Sequence, residues 1–178
     1  MFKSFAKILI FAPLLLYGAV VSGQSDHCLD FRNTNASVSV SHSSNLSLGS
    51  DGTIELWLEV NSFPSTSTGA VGLVQKGTGA SNASYALKLC PDQKLLLELI
   101  DDQGTTSQLK SATAIPDGFS GFVSAAWNGS QMDLYINGSL DNTSSNSIVP
   151  KSNSSNLVIG LANTSSPYNA FDGFIDEV

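Results

Sequence analysis

The chain has 178 residues, a net charge of −7, two cysteines, 13% charged residues and 42% hydrophobic residues. It is too short for a (β/α)8 barrel enzyme of about 250 residues, and long enough for one domain with a packed core. The acidic balance excludes a nucleic-acid grip, the hydrophobic content excludes a disordered chain, and two cysteines permit one disulfide and no cysteine framework.

Lys3 and Lys7 precede an apolar run over residues 8–21, interrupted only by Pro13 and Gly18, and small residues Ser22 and Gly23 come next. The run falls short of the roughly 20 residues that span a bilayer. Charge, apolar run and small residues in that order predict a secretory signal over residues 1–23, cleaved before Gln24. Residues 24–178 are then one secreted, extracellular domain without a membrane span. Export carries Cys28 and Cys90 into an oxidising compartment, where they are expected to pair. That closure would stabilise the fold by roughly 4 kcal/mol in the chain-entropy model.

No long stretch has apolar residues at helical spacing. Short runs closed by turn residues recur instead, beginning at residues 28–31 and 37–40. Residues 53–60 alternate, with Ile54, Leu56, Leu58 and Val60 on one face and Glu55, Trp57 and Glu59 on the other. The first set is wholly aliphatic and is the core candidate, so Trp57 is expected to face outward. Runs at 70–76 and 85–89 come next. Pro91-Asp92 turns into 94–100, Asp102-Gln103-Gly104 turns into 105–111, and Pro116-Asp117-Gly118 marks another turn. Runs at 122–127 and 132–136 flank Asn128-Gly129, and the second meets Asn137-Gly138, a strong hairpin signal. Residues 139–156, rich in Ser and Asn, read as a long surface excursion. Runs at 157–160 and 171–178 complete the set. About a dozen short strands with frequent turns predict an all-β antiparallel sandwich in two sheets. The final run ends without a turn or polar tail, as in the start of a longer chain. The alternative to a longer chain is an unfinished strand edge able to self-associate.

Nine segments, taken in order, resemble the laminin-G-like domains of the concanavalin A-like lectin/glucanase superfamily. They are Cys28-Leu-Asp-Phe31, Thr53-Ile-Glu-Leu-Trp57, Leu73-Val-Gln-Lys-Gly77, Tyr85-Ala-Leu-Lys-Leu89, Ile115-Pro-Asp-Gly118, Trp127-Asn-Gly-Ser130, Leu134-Tyr-Ile-Asn-Gly138, Leu157-Val-Ile-Gly160 and Phe171-Asp-Gly-Phe-Ile-Asp-Glu-Val178. The resemblance covers residues 28–178. It implies a jelly roll of two antiparallel sheets serving as an extracellular binding or adhesion module. Many such domains hold a structural calcium where the first and last strands meet; here Asp30, Asp172, Asp176 and Glu177 would either supply its oxygens or stand as ordinary rim carboxylates. The chain departs from the pattern at Arg32-Asn33, where relatives often carry Asp-Gly, and at Ser120-Gly121-Phe122, where they usually carry Trp-His-His.

Enzyme signatures are sparse. His27 and His42 lie in polar surroundings and read as solvent-facing, and there is no nucleophile elbow, zinc-ligand spacing or phosphate loop. β-Glucanases that share the implied fold place Glu, Asp and Glu at i, i+2 and i+4 on one strand; here Glu55, Trp57 and Glu59 occupy that spacing. The two glutamate backbones would stand about 13 Å apart along the strand. A retaining pair holds its carboxyls roughly 5–5.5 Å apart, and an indole stands between these two, so catalysis is not expected. A divergent β-glucan hydrolase using Glu55 and Glu59 is one alternative. A structural coat or filament subunit assembling through sheet edges is the other.

Binding suits the same three residues better. An indole stacks on the apolar face of a sugar ring, and flanking carboxylates accept its hydroxyls. The expected partner is therefore a glycan or an extracellular glycoprotein, bound through Glu55, Trp57 and Glu59. Tyr168 and Asn169, in the loop before the last strand, are rim contacts. Asn-x-Ser/Thr acceptors occur at Asn35, Asn45, Asn82, Asn128, Asn137, Asn142, Asn153 and Asn163, eight of 13 asparagines. That excess predicts N-glycosylation. Asn142, Asn153 and Asn163 fall in expected loops and are the favoured acceptors, whereas Asn128 and Asn137 sit in tight turns.

Overall fold

Strand β3 (Gly52–Ser62) buries Ile54, Leu56, Leu58 and Val60 and exposes Glu55, Trp57 and Glu59, as the alternation requires. The computed structural model describes residues 28–33, 35–77, 82–161 and 170–178. The expected leader, its cleavage point and His27 lie outside the described residues. The other strands, in chain order, are β1 (Leu29–Asp30), β2 (Val38–Val40), β4 (Val71–Lys76), β5 (Tyr85–Leu89), β6 (Leu95–Ile100), β7 (Thr106–Lys110), β8 (Ser120–Trp127), β9 (Gln131–Ile136), β10 (Ser139–Ser145), β11 (Leu157–Ile159) and β12 (Asp172–Asp176). They form two six-stranded sheets, ordered β1-β12-β3-β8-β9-β10 and β2-β11-β4-β5-β6-β7, with every pairing antiparallel. The all-β sandwich expected from the sequence is therefore the fold.

The core is the pair of inward faces. Leu56, Leu58, Val123, Leu134 and Ile175 of the first sheet meet Leu73, Leu87, Leu89, Leu97 and Leu99 of the second, all fully buried. Each such side chain contributes about 1.5–3 kcal/mol by leaving water. One end is closed by a 3-10 turn (Ser44–Leu46) and its extension to Gly49. The Tyr85 hydroxyl donates to the Leu46 carbonyl at 2.9 Å, and the Trp127 indole N–H donates to the Gly49 carbonyl at 3.1 Å. Their rings pack 5.5 Å apart. Each large aromatic thus buries its polar atom with a partner. Burial pushes the Tyr85 hydroxyl pKa up to about 12.

Three expectations need correction. Residues 139–145 are not loop but strand β10, paired with β9 through the Asn137-Gly138 turn. Both turn residues have positive φ, 51° and 76°, as a two-residue hairpin turn of the right twist demands. β10 hides in the sequence because it is an edge strand whose one large apolar residue, Leu140, is 55% exposed, so no core face imposes alternation. The remainder, residues 146–156, is irregular as expected.

The second correction concerns the cysteines, which are both free. Cys28 is exposed ahead of β1 in one sheet, and Cys90 is buried after β5 in the other. Facing sheets stand about 10 Å apart, and a disulfide needs Cα atoms within roughly 7 Å with converging Cβ vectors.

The third concerns the last strand. β12 lies between β1 and β3, so both its backbone edges are already paired. The expected open edge, and strand addition through it, do not arise among the described residues. β1, two residues long, is what covers it.

Candidate functional site

The two outward faces differ in chemistry. On the second sheet the charges are matched: the Lys88 ammonium meets the Glu98 carboxylate at 2.5 Å, the Gln108 amide donates to the same carboxylate at 2.6 Å, and Lys110 meets Asp92 at 2.8 Å. On the first sheet the register gathers aromatic rings and unmatched carboxylates. Trp57 pairs with Asp176 on one side and Phe122 on the other; Glu59 pairs with Phe174; Glu55 pairs with Ser124, which pairs with Tyr135. Directly opposed residues on one face have Cβ atoms about 4.5–5.5 Å apart.

Trp57 is 44% exposed, an unusual state for so large an apolar ring. It forms one wall of a cleft of about 280 Å³ whose other walls are Cys28, Glu59, Phe174 and Asp176. Phe122 and Tyr135, both half-buried, continue the apolar strip across β8 and β9. Among the described residues no ion pair engages Glu55, Glu59 or Asp176.

One cation does stand at the cleft's edge, and it is already held. Arg32 bonds the Asp30 carboxylate through Nε at 3.1 Å and through Nη2 at 2.9 Å. Its guanidinium also lies 4.2 Å from the centre of the Phe174 ring. Bonding from the Arg32 side chain, reinforced by the Arg32 backbone N–H, brings Asp30 down to about 2. Next to it, Asp172 accepts from Ser62 Oγ at 2.5 Å, from Asn61 Nδ2 at 3.0 Å and from the Asn33 backbone at 3.2 Å. Burial raises Asp172, but these bonds outweigh it and leave its pKa below the ordinary carboxylate value.

The structure therefore separates the carboxylates expected to hold calcium. Asp30 is committed to Arg32, Asp172 locks β12 to β3, Asp176 turns to the Trp57 cleft, and Glu177 is exposed at φ 52°. Asp172 and Asp176 are four residues apart on one strand, about 13 Å at the usual rise. Among the described residues no three acidic, His or Cys side chains cluster as a metal would need. This donor set does not fit calcium, which takes six to eight oxygens around one point.

Glu55, Trp57 and Glu59 do share the outer face, as the parity of β3 dictated, with the indole between the two carboxylates. Tyr168, Asn169 and Asn163 lie outside the described residues. His42 is exposed, and its Nδ1 stands 3.1 Å from the Lys76 ammonium. Lys76 is itself buried, which pushes its pKa down; it also donates to the Ser155 carbonyl. Among the acceptor asparagines, Asn35, Asn45 and Asn82 are exposed. Asn142 and Asn153 are more tied down than their sequence context suggests. Asn142 belongs to β10 and gives its amide N–H to the Lys110 carbonyl at 2.8 Å; Asn153 gives its own to the Asn82 carbonyl at 2.7 Å. Asn128 and Asn137 are occupied in turns, where their side-chain oxygens accept from Gln131 and Phe122 respectively.

Sequence reasoning missed Phe122 and Phe174 as neighbours of Trp57. Their alternation with buried residues marked them as outward, but the pairing of β3 with β8 and β12 joins positions some 65 to 120 residues apart along the chain.

Comparison with known proteins places this geometry. A Laminin_G_3 family model, of the concanavalin A-like lectin/glucanases superfamily, matches residues 32–178. No curated protein matches the sequence. The CBM40 of the Ruminococcus gnavus IT-sialidase, solved bound to alpha2,3 sialyllactose, is similar with a TM-score of 0.64 and 16% identity over 84% of this chain and 86% of that one. The binding domain of Paraclostridial Mosquitocidal Protein 1 is similar with a TM-score of 0.59 and 18% identity over 84% of this chain and 41% of that one. The botulinum neurotoxin serotype G binding domain gives 0.59 and 14% over 83% of this chain and 38% of that one. The chain thus spans about two fifths of the toxin binding domains it matches. At these identities the likeness is one of fold.

Proposed function

Because the chain belongs to the Laminin_G_3 family of the concanavalin A-like lectin/glucanases superfamily, we propose that it is a non-catalytic module that binds carbohydrate on the outer face of β3. One observation carries the reading: Trp57 stands 44% exposed, flanked by carboxylates along its own strand and across from β12, at a cleft open to solvent. A sugar ring laid on the indole buries apolar C–H surface, and Glu55, Glu59 and Asp176 accept its hydroxyls. The superfamily description covers lectins and glucanases alike. For a glucanase, the carboxyls of Glu55 and Glu59 would have to approach within roughly 5–9.5 Å of each other across one sugar, with the Trp57 ring between them. We extend the proposal to export and N-glycosylation of the module. The support is the order of charge, apolar run and small residues over 1–23 and the eight acceptor sites.

The chain's two tryptophans offer a direct test. Trp127 is buried and Trp57 is not. A bound sugar should quench or blue-shift the emission of the exposed indole, and Trp57→Ala should remove both the response and the binding. Binding retained in full by a folded Trp57→Ala variant would place the site elsewhere.

A further inference from the structure

The charge around the cleft narrows the class of sugar. This step rests on the carbohydrate reading above. The outer face of the first sheet presents Glu55, Glu59 and Asp176 around the indole, with no ion pair on any of them among the described residues, although Glu59 lies within the field of Arg32. Arg32, the nearby cation, has its guanidinium spent on Asp30. The whole chain carries −7. An anionic sugar would meet uncompensated like charge here, and like charges placed together disfavour a complex strongly. A neutral sugar would give the carboxylates its hydroxyl hydrogen bonds but leave their negative charge uncompensated. A sugar bearing an ammonium would satisfy both features, its ring on Trp57 and its charge between Glu59 and Asp176.

The molecule already contains a small instance of this chemistry. Arg32 lies 4.2 Å above Phe174 while bonded to Asp30, a cation held between an aromatic face and a carboxylate. Trp57, the best ring for such contacts, stands beside it with two carboxylates in the same cleft, and among the described residues no cation lies over the indole itself. We infer that the natural ligand is a cationic amino sugar, a glycan whose 2-amino groups are free rather than acetylated. The ammonium donates charge-assisted hydrogen bonds to Glu59 and Asp176 while the ring stacks on the indole. Phe122 and Tyr135 extend the apolar strip to a neighbouring sugar unit.

Titration calorimetry of the folded chain with four probes tests this: a glucosamine oligomer, its fully N-acetylated counterpart, sialyllactose, and an arginine-rich peptide. The expected result is at least about tenfold tighter binding of the free amine than of the acetylated oligomer at low ionic strength, equivalent to about 1.4 kcal/mol. That preference should shrink as salt is added. The Glu59→Gln/Asp176→Asn double variant should erase that preference while keeping its melting temperature. Equal or tighter binding of the acetylated oligomer overturns the inference and leaves the carbohydrate reading standing. Tighter binding of sialyllactose does the same. A Trp57-dependent complex with an arginine-rich peptide, tighter than with any sugar, overturns the inference in favour of a protein partner. Silence toward every sugar defeats both readings together.

Discussion

Leu56 and Trp57 are adjacent on β3 and should respond differently to truncation, one mainly in stability and the other in binding. Leu56 has no exposed surface and sits between the sheets. Replacing a packed leucine with alanine removes its transfer energy and leaves a cavity, at a cost of about 3–5 kcal/mol. In a domain of this size each kcal/mol moves the melting temperature by about 2–4 °C, so Leu56→Ala should melt ~6–20 °C lower. Trp57 is 44% exposed and rests on the outside of the same sheet. Full burial of a large apolar side chain contributes about 1.5–3 kcal/mol, so its half-burial is worth about 1 kcal/mol. Trp57→Ala should then melt only about 2–4 °C lower. Differential scanning calorimetry reads both shifts, and titration with a glucosamine oligomer reads the second phenotype. Binding should vanish in Trp57→Ala and survive in Leu56→Ala below its own transition. Equal melting losses in the two variants would refute the assignment of inner and outer faces, and with it the location of the site.

Other groups give outcomes of their own. A small thiol-alkylating reagent should label Cys28 in the native chain and reach Cys90 only on unfolding, because one is exposed and the other buried; label uptake only after reduction would restore the disulfide. Tyr85 is neutral up to about pH 12 when folded and up to about its ordinary value of 10 when unfolded. The folded state holds the proton longer, so its contribution is complete below pH 10 and lost as pH rises through about 12. Alkaline melting curves should show this decline, and Tyr85→Phe should diminish it; an unchanged pH profile in that variant would contradict the assignment. Chain secreted from a glycosylating host should lose mass on enzymatic glycan removal. Occupancy should favour the exposed Asn35, Asn45 and Asn82 over Asn142 and Asn153, and a mass equal to the bare polypeptide would exclude modification.

The legible parts of this fold were those where one face enters the core. Residues 53–60 announced their inward set, and the Asn137-Gly138 turn announced a hairpin, because burial and positive φ each constrain residue type tightly. β10 was not read because an edge strand with Leu140 exposed answers to neither constraint. The cysteine expectation failed for a different reason. Compartment chemistry says whether thiols are allowed to pair, whereas sheet order says whether they meet, and Cys28 and Cys90 flank strands of different sheets. At the site, the outward trio Glu55, Trp57 and Glu59 came from parity alone. Asp176 was singled out for the wrong company: near the chain end it looked like a partner of Asp30 and Asp172, but the register of β12 on β3 sets it opposite Trp57. Pairing register, which local pattern does not carry, made the difference.

The central claim is that the outer face around Trp57 holds a sugar without a metal. A glycan array of the folded chain, run in calcium and in chelator beside Trp57→Ala, tests it most directly. Binding should be selective, with free-amine sugars foremost, lost in Trp57→Ala and indifferent to the chelator, because Asp30 and Asp172 are committed to Arg32 and to Asn61 and Ser62. A blank array from folded protein, or the same binding profile from Trp57→Ala, would contradict it.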